Sequence, residues 1–217
     1  MTGEGSVRLK SATVAIAIVT ACVSALLMLT GALEEAALRL GFIAARFGGS
    51  PLTQMLLDGA VPAWLTPWSA TLVHGGWLHL GFNMLMLVWI GSQVERVLGA
   101  ANVLFAYLVG ALAAAFAQWV VDPGAFTPMV GASGAISAVF GIYALMAARP
   151  KAITSSAAIN RAVHVAWLLG AWVAIQWMSA LLSEGQGVML ATPAHIGGFI
   201  AGLAMQRPLL LWRYRNA

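Results

Sequence analysis

Five polar side chains stand inside long apolar stretches of this sequence: His74, His79, Asn83, Ser133 and His195. Polar groups at bilayer depth are costly and mark functional sites by default. Their types suit nucleophilic chemistry. A serine hydroxyl attacks a carbonyl once a neighbouring base takes its proton, and imidazole is the commonest such base. Ser133 lies in Gly131-Ala132-Ser133-Gly134-Ala135, where glycines on both sides leave space for a substrate backbone. It also falls near a helix start, where free N–H groups point outward and can hold a developing oxyanion.

His195 is the natural base. It precedes Gly197, Gly198 and Gly202, and the Gly198-x-x-x-Gly202 spacing permits close helix packing. The stretch after Ser133 is small-sided too, through Gly134, Ser137, Ala138 and Gly141. Two such helices can approach until Ser133 and His195 come within hydrogen-bond reach. His79 and Asn83, four residues apart, share one helix face and can both donate hydrogen bonds. His74, five residues before His79, falls about 140° further round a helix and reads as a structural residue bonding to the first loop. The acidic residues are Glu4, Glu34, Glu35, Asp58, Glu95, Asp122 and Glu184. None falls inside an apolar span beside His195, which favours a Ser–His dyad over a triad. A zinc protease helix would read H-E-x-x-H. Here the histidines are spaced i, i+5 without a glutamate, so no metal or cofactor is expected.

The elements that must position these residues are read from composition. Of 217 residues 61% are hydrophobic and 8% charged, and mean hydropathy is +0.87. A soluble domain carries about 25% charged residues, so this chain is built for a bilayer, and residues 1–217 read as one membrane domain. The net charge of +4 comes from basic residues at the ends of apolar runs. The positive-inside rule accounts for them without nucleic acid as a partner. The single cysteine, Cys22, excludes an intrachain disulfide.

A spanning helix needs roughly 20 apolar residues. Six candidates occur, at about 12–33, 69–90, 103–121, 130–148, 163–182 and 193–212. The first reads as an uncleaved span. Residues 34–67 form a first loop of stretches too short to span, suited to the interface together with Trp64 and Trp68. Arg8, Lys10, Arg96, Arg149, Lys151, Arg161, Arg207, Arg213 and Arg215 collect on one side, against Arg39 and Arg46 on the other, so both termini read as cytoplasmic. Glu95 and Arg96 read as stabilising a helix end or a cytoplasmic turn. In this topology the second, fourth and sixth spans begin at the outer face. His79, Asn83, Ser133 and His195 then meet in one leaflet, with Ser133 about three residues, or roughly 5 Å, into its span.

These motifs carry a resemblance. His74-Gly-Gly-Trp-Leu-His79-Leu-Gly-Phe-Asn83 resembles the second-helix signature of the rhomboid family, and Gly131-Ala-Ser133-Gly134 resembles its G-x-S-G nucleophile motif. Ala194-His195-Ile-Gly-Gly198-Phe-Ile-Ala-Gly202 is similar to its last helix, and Glu95-Arg-Val-Leu-Gly99 to the segment after the second. The resemblance covers about residues 60 to 205. It implies an all-α membrane protein, a six-transmembrane-helix bundle around a cavity open to the outside. It implies a serine endopeptidase that hydrolyses transmembrane protein substrates within membrane lipid, in a bacterial inner membrane by the compact size. Ser133 would attack and His195 would carry the proton. Backbone N–H groups at Ser133 and Ala132, in the loop that includes Gly131, would hold the oxyanion with His79 and Asn83. Many family members carry a tyrosine four residues after the nucleophile, stacked on the catalytic histidine; here that residue is Ser137. The competing reading is a catalytically silent relative that binds membrane clients.

Overall fold

An apolar run in lipid must satisfy its backbone internally, and a helix does so within one segment. The computed structural model describes residues 11–48, 59–146, 152–182 and 191–216, and they are almost wholly helical. The sequence α1 (Ala12–Leu29), α2 (Leu33–Leu40), α3 (Trp77–Met86), α4 (Ala100–Val121), α5 (Ser133–Met146), α6 (Ala157–Leu182) and α7 (Thr192–Arg213) makes up the frame. Beyond Met86, α3 runs through a π turn at Leu87–Gly91 into a last helical stretch, Ser92–Leu98. By length and composition, Ala12–Leu29, Ala100–Val121 and Ala157–Ile175 can each cross a membrane.

The second expected span is not one straight helix. Short turns cover Ala63–Leu72, the chain is non-helical from Val73 to Gly76, and α3 leaves at 90° to the preceding segment. The apolar residues run on without interruption, so hydropathy hides the bend; the Gly75-Gly76 pair is its local mark. His74 therefore sits before the helix, and its expected position on a helical face does not apply. The fourth span begins at Ser133 rather than at 130, which makes Ser133 the first helical residue. The first span stops at Leu29, and α2 starts separately at Leu33.

The core is organised around α5. Eleven of its fourteen residues are buried, so it is enclosed by other helices and not by lipid. Packing against α4 and α7 is nearly atom to atom. A Cβ on Gly198 would collide with the Gly134 carbonyl, and one on Gly202 with the Ala138 carbonyl. A Cβ on Gly134 would meet the Ala114 side chain. Close approach through small residues is how helices associate where no hydrophobic force separates lipid from protein.

Two long-range ties fix the periphery. The Glu95 carboxylate accepts from the Ser11 hydroxyl at 2.9 Å and from the Ala12 and Thr13 N–H groups at 3.0 and 2.8 Å. The end of α3 thus caps α1, satisfying donors a helix start leaves open. The helix end expected for Glu95 belongs to a different helix. The first loop is tied to the segment before Ser133: Phe42 and Met129 exchange N–H···O bonds of 3.0 and 2.8 Å, and Ala45 N–H donates to the Ala125 carbonyl at 3.1 Å. Residues 49–58 of that loop, and with them Asp58, lie outside the described residues, as do Arg8, Lys10, Arg149, Lys151 and Glu184.

Candidate active site

Ser133 begins α5, and helix geometry leaves the N–H groups of a first turn without an internal partner. The preceding residue pair is bent sharply: Gly131 has φ +116°, a backbone only glycine adopts readily. Its N–H donates to the Ala70 carbonyl at 2.9 Å. The turn aims Ser133 at α7, where His195 sits in the first turn after Pro193. The Ser133 hydroxyl lies 2.8 Å from His195 Nε2, and both residues are buried, at 7% and 4% exposure. A hydroxyl and a ring nitrogen at this distance can exchange a proton directly. Among the described residues, His195 Nδ1 has no hydrogen-bond partner.

His79 lies across Gly131 from this pair. The Gly75 N–H donates to His79 Nδ1 at 3.4 Å, so the neutral ring carries its proton on Nε2. That nitrogen faces Gly131, 3.0 Å from where a Cβ would stand. Asn83, one turn along α3, is fully buried. Its amide donates one hydrogen bond back to the His79 carbonyl at 2.8 Å, which leaves a second amide proton.

His74 has a more specific place than a bond to the first loop. The Ser24 hydroxyl of α1 donates to the Leu72 carbonyl at 2.7 Å and stands 2.9 Å from His74 Nδ1. With its own proton spent on Leu72, Ser24 accepts from Nδ1–H. His74 Nε2 is then the acceptor for the Ala132 N–H, at 3.3 Å. This chain of bonds runs from α1 to the residue before the nucleophile. It also engages the Ala132 N–H, which the rhomboid resemblance assigns to an oxyanion. The rings of His74 and His79 meet edge to face at 5.0 Å.

Two contributors were not singled out in the sequence. Ser24 is one of several hydroxyls in α1, and nothing in its neighbours marks it. Trp172 of α6 is fully buried and donates from Nε1 to the Ser137 hydroxyl at 2.6 Å. Ser137 in turn donates to the Ser133 carbonyl at 2.7 Å. Among the described residues no group of three or more His, Cys, Asp or Glu side chains is clustered to hold a metal ion.

A buried serine at a helix start, against a histidine of a second glycine-packed helix, defines a class of helical membrane proteins. The Rhomboid domain family matches residues 62–212, and the chain belongs to that family. It is 32% identical over 139 residues to the rhomboid protease GlpG of Pectobacterium atrosepticum, covering 63% of this chain and 45% of that protein. It is 29% identical over 139 residues to RHOMBOID-like protein 5 of Arabidopsis thaliana (64% and 42%). It is 28% identical over 138 residues to Rhomboid-related protein 2 of Mus musculus (63% and 45%). The chain thus matches about half the length of these relatives. Family membership and the apolar helices make it an integral membrane protein.

Proposed function

We propose that the chain is an intramembrane serine endopeptidase that cleaves transmembrane proteins with a Ser133–His195 dyad. The 2.8 Å contact between Ser133 Oγ and His195 Nε2 is the observation that carries this reading. Ser133 Oγ attacks the scissile carbonyl carbon while its proton passes to His195 Nε2. The carbonyl oxygen becomes an oxyanion and takes hydrogen bonds from the Ser133 N–H, His79 Nε2–H and the second amide proton of Asn83. His195 then gives its proton to the leaving amine, and the C–N bond breaks. Water, deprotonated by His195, releases the acyl group and restores the serine.

Each histidine has its own task because each ring is held differently. His195 must keep Nε2 bare to act as a base. His79 must keep Nε2 protonated to donate, and its Nδ1 contact with Gly75 supports that tautomer. His74 is occupied on both nitrogens and acts as a brace. Gly131 leaves the oxyanion its room, while Gly134, Gly198 and Gly202 let α5 and α7 approach.

The six-span topology with both termini cytoplasmic, the site opening to the extracytoplasmic side, and residence in a bacterial inner membrane all belong to this proposal. So do transmembrane substrates. The GlpG relatives' names as rhomboid proteases support it. The test is cleavage of single-span substrates in proteoliposomes by wild type, Ser133→Ala and His195→Ala, with fluorophosphonate labelling in parallel. Cleavage and labelling by wild type alone are expected. A folded wild type that neither cleaves nor labels would overturn the reading in favour of a client-binding relative.

A further inference from the structure

We infer that Trp172 is a positioning residue for the dyad, holding Ser133 through Ser137 and His195 through Phe140 and Phe199. The inference rests on the serine-protease reading above. An indole nitrogen only donates, so the 2.6 Å bond from Trp172 Nε1 makes Ser137 Oγ the acceptor. Ser137 has one proton to give, and it goes to the Ser133 carbonyl at 2.7 Å. The direction of both bonds is thereby fixed, running from α6 through α5 to the nucleophile's own backbone.

A serine that bonds back to the carbonyl four residues earlier tilts that carbonyl and bends the helix locally. Here the carbonyl is the first of α5, and its residue carries the attacking oxygen. Its tilt sets where Ser133 Oγ points. Without Trp172, the Ser137 hydroxyl would be free to take other rotamers, and the tilt would no longer be held.

The second arm is aromatic. The Trp172 ring lies 5.4 Å from the Phe140 ring at 57°, and Phe140 meets Phe199 edge to face at 5.9 Å. Phe199 is four residues after His195 and so lies beneath it on the same face of α7. One fully buried side chain therefore touches α5 at Ser137 and Phe140 and reaches α7 through the Phe140–Phe199 contact. It does so from α6, a helix whose described side chains are otherwise mostly exposed.

The test uses the full chain in proteoliposomes with Trp172→Phe, Ser137→Ala and the double variant. Phenylalanine keeps an aromatic ring against Phe140 and removes the donor together with one ring of the indole, so Ser137→Ala, which removes only the acceptor hydroxyl, is the sharper variant. Each single variant should lose roughly ten-fold in kcat and in the rate of fluorophosphonate labelling of Ser133, the scale of one hydrogen bond, with KM unchanged. The double variant should lose no more than either single one, because both cut the same relay. Trp172→Leu, which also removes the aromatic arm, should lose more. Wild-type kcat and labelling in Trp172→Phe would overturn the inference, as would losses that multiply or that fall on KM alone. If Trp172→Phe does not fold, Ser137→Ala decides: wild-type rates there overturn the relay. A wild type inert to both substrate and probe would instead overturn the protease reading, and the inference with it.

Discussion

Gly131 faces the His79 imidazole so closely that a methyl group would stand 2.8 Å from Cε1 and 3.0 Å from Nε2. The same residue holds φ +116°. Gly131→Ala therefore strains the backbone by about 1–3 kcal/mol and pushes the imidazole off its position. The expected result is a fall in kcat of at least about ten-fold with substrate binding retained, measured by steady-state cleavage in proteoliposomes. Wild-type kcat would show that neither the turn nor the His79 ring is needed where the structure holds them.

In the proposed mechanism His79 and Asn83 meet a charge that is absent from the bound substrate and develops only as Ser133 attacks. Removing one oxyanion donor in a serine protease costs about 10²–10³ in kcat. His79→Ala and Asn83→Ala should each approach the lower end of that range, since the Ser133 N–H remains. KM should hardly move. A variant whose loss lies wholly in KM would place its residue in substrate binding instead.

The α5–α7 seam tolerates no added atom at Gly202, where a Cβ would meet the Ala138 carbonyl. Overpacking a close contact costs about 1–3 kcal/mol. Gly202→Ala should lower the thermal unfolding midpoint in detergent and weaken fluorophosphonate labelling, because separating the helices lengthens the Ser133–His195 contact. Gly170, mid-helix in α6 with nothing near its Cβ position, is the control: Gly170→Ala should leave labelling at its wild-type rate and hold or raise the midpoint, since alanine favours the helix over glycine by about 1 kcal/mol.

Glu95 satisfies two backbone donors and one hydroxyl of α1. Loss of a helix cap costs about 0.5–2 kcal/mol. Glu95→Ala should lower the unfolding midpoint while leaving labelling of Ser133 at its wild-type rate at low temperature. An unchanged midpoint would mean that water or lipid headgroups cap α1 equally well.

The motif residues were legible in the sequence because each is chemically out of place: a serine between glycines, and histidines and an asparagine inside apolar runs. Their meeting in one leaflet was the expectation drawn from a six-span topology, and the structure brings Ser133 and His195 within 2.8 Å. The bend before Trp77 was not legible, because a hydropathy window averages over four non-helical residues when they are flanked by apolar ones. The misplacement of His74 came from that. Trp172 was invisible for another reason. A tryptophan in an apolar helix is ordinary, and only the third dimension shows that its one donor meets Ser137. Glu95 was read as stabilising a helix end, but its partner lies 84 residues earlier, a distance no local pattern spans. The Ala132 N–H looked free because its acceptor, His74, belongs to the bend that the sequence concealed.

That separation also has a temporal meaning. Ribosomes add about 5–20 residues per second, so Ser11 and Glu95, 84 positions apart, emerge roughly 4–17 s apart at those rates. Throughout that interval the start of α1 must make do with other partners for its open N–H groups. The first helix is thus finished as a structural element only when the second long helix is nearly complete, and the order of synthesis runs opposite to the order in which the chain supports itself.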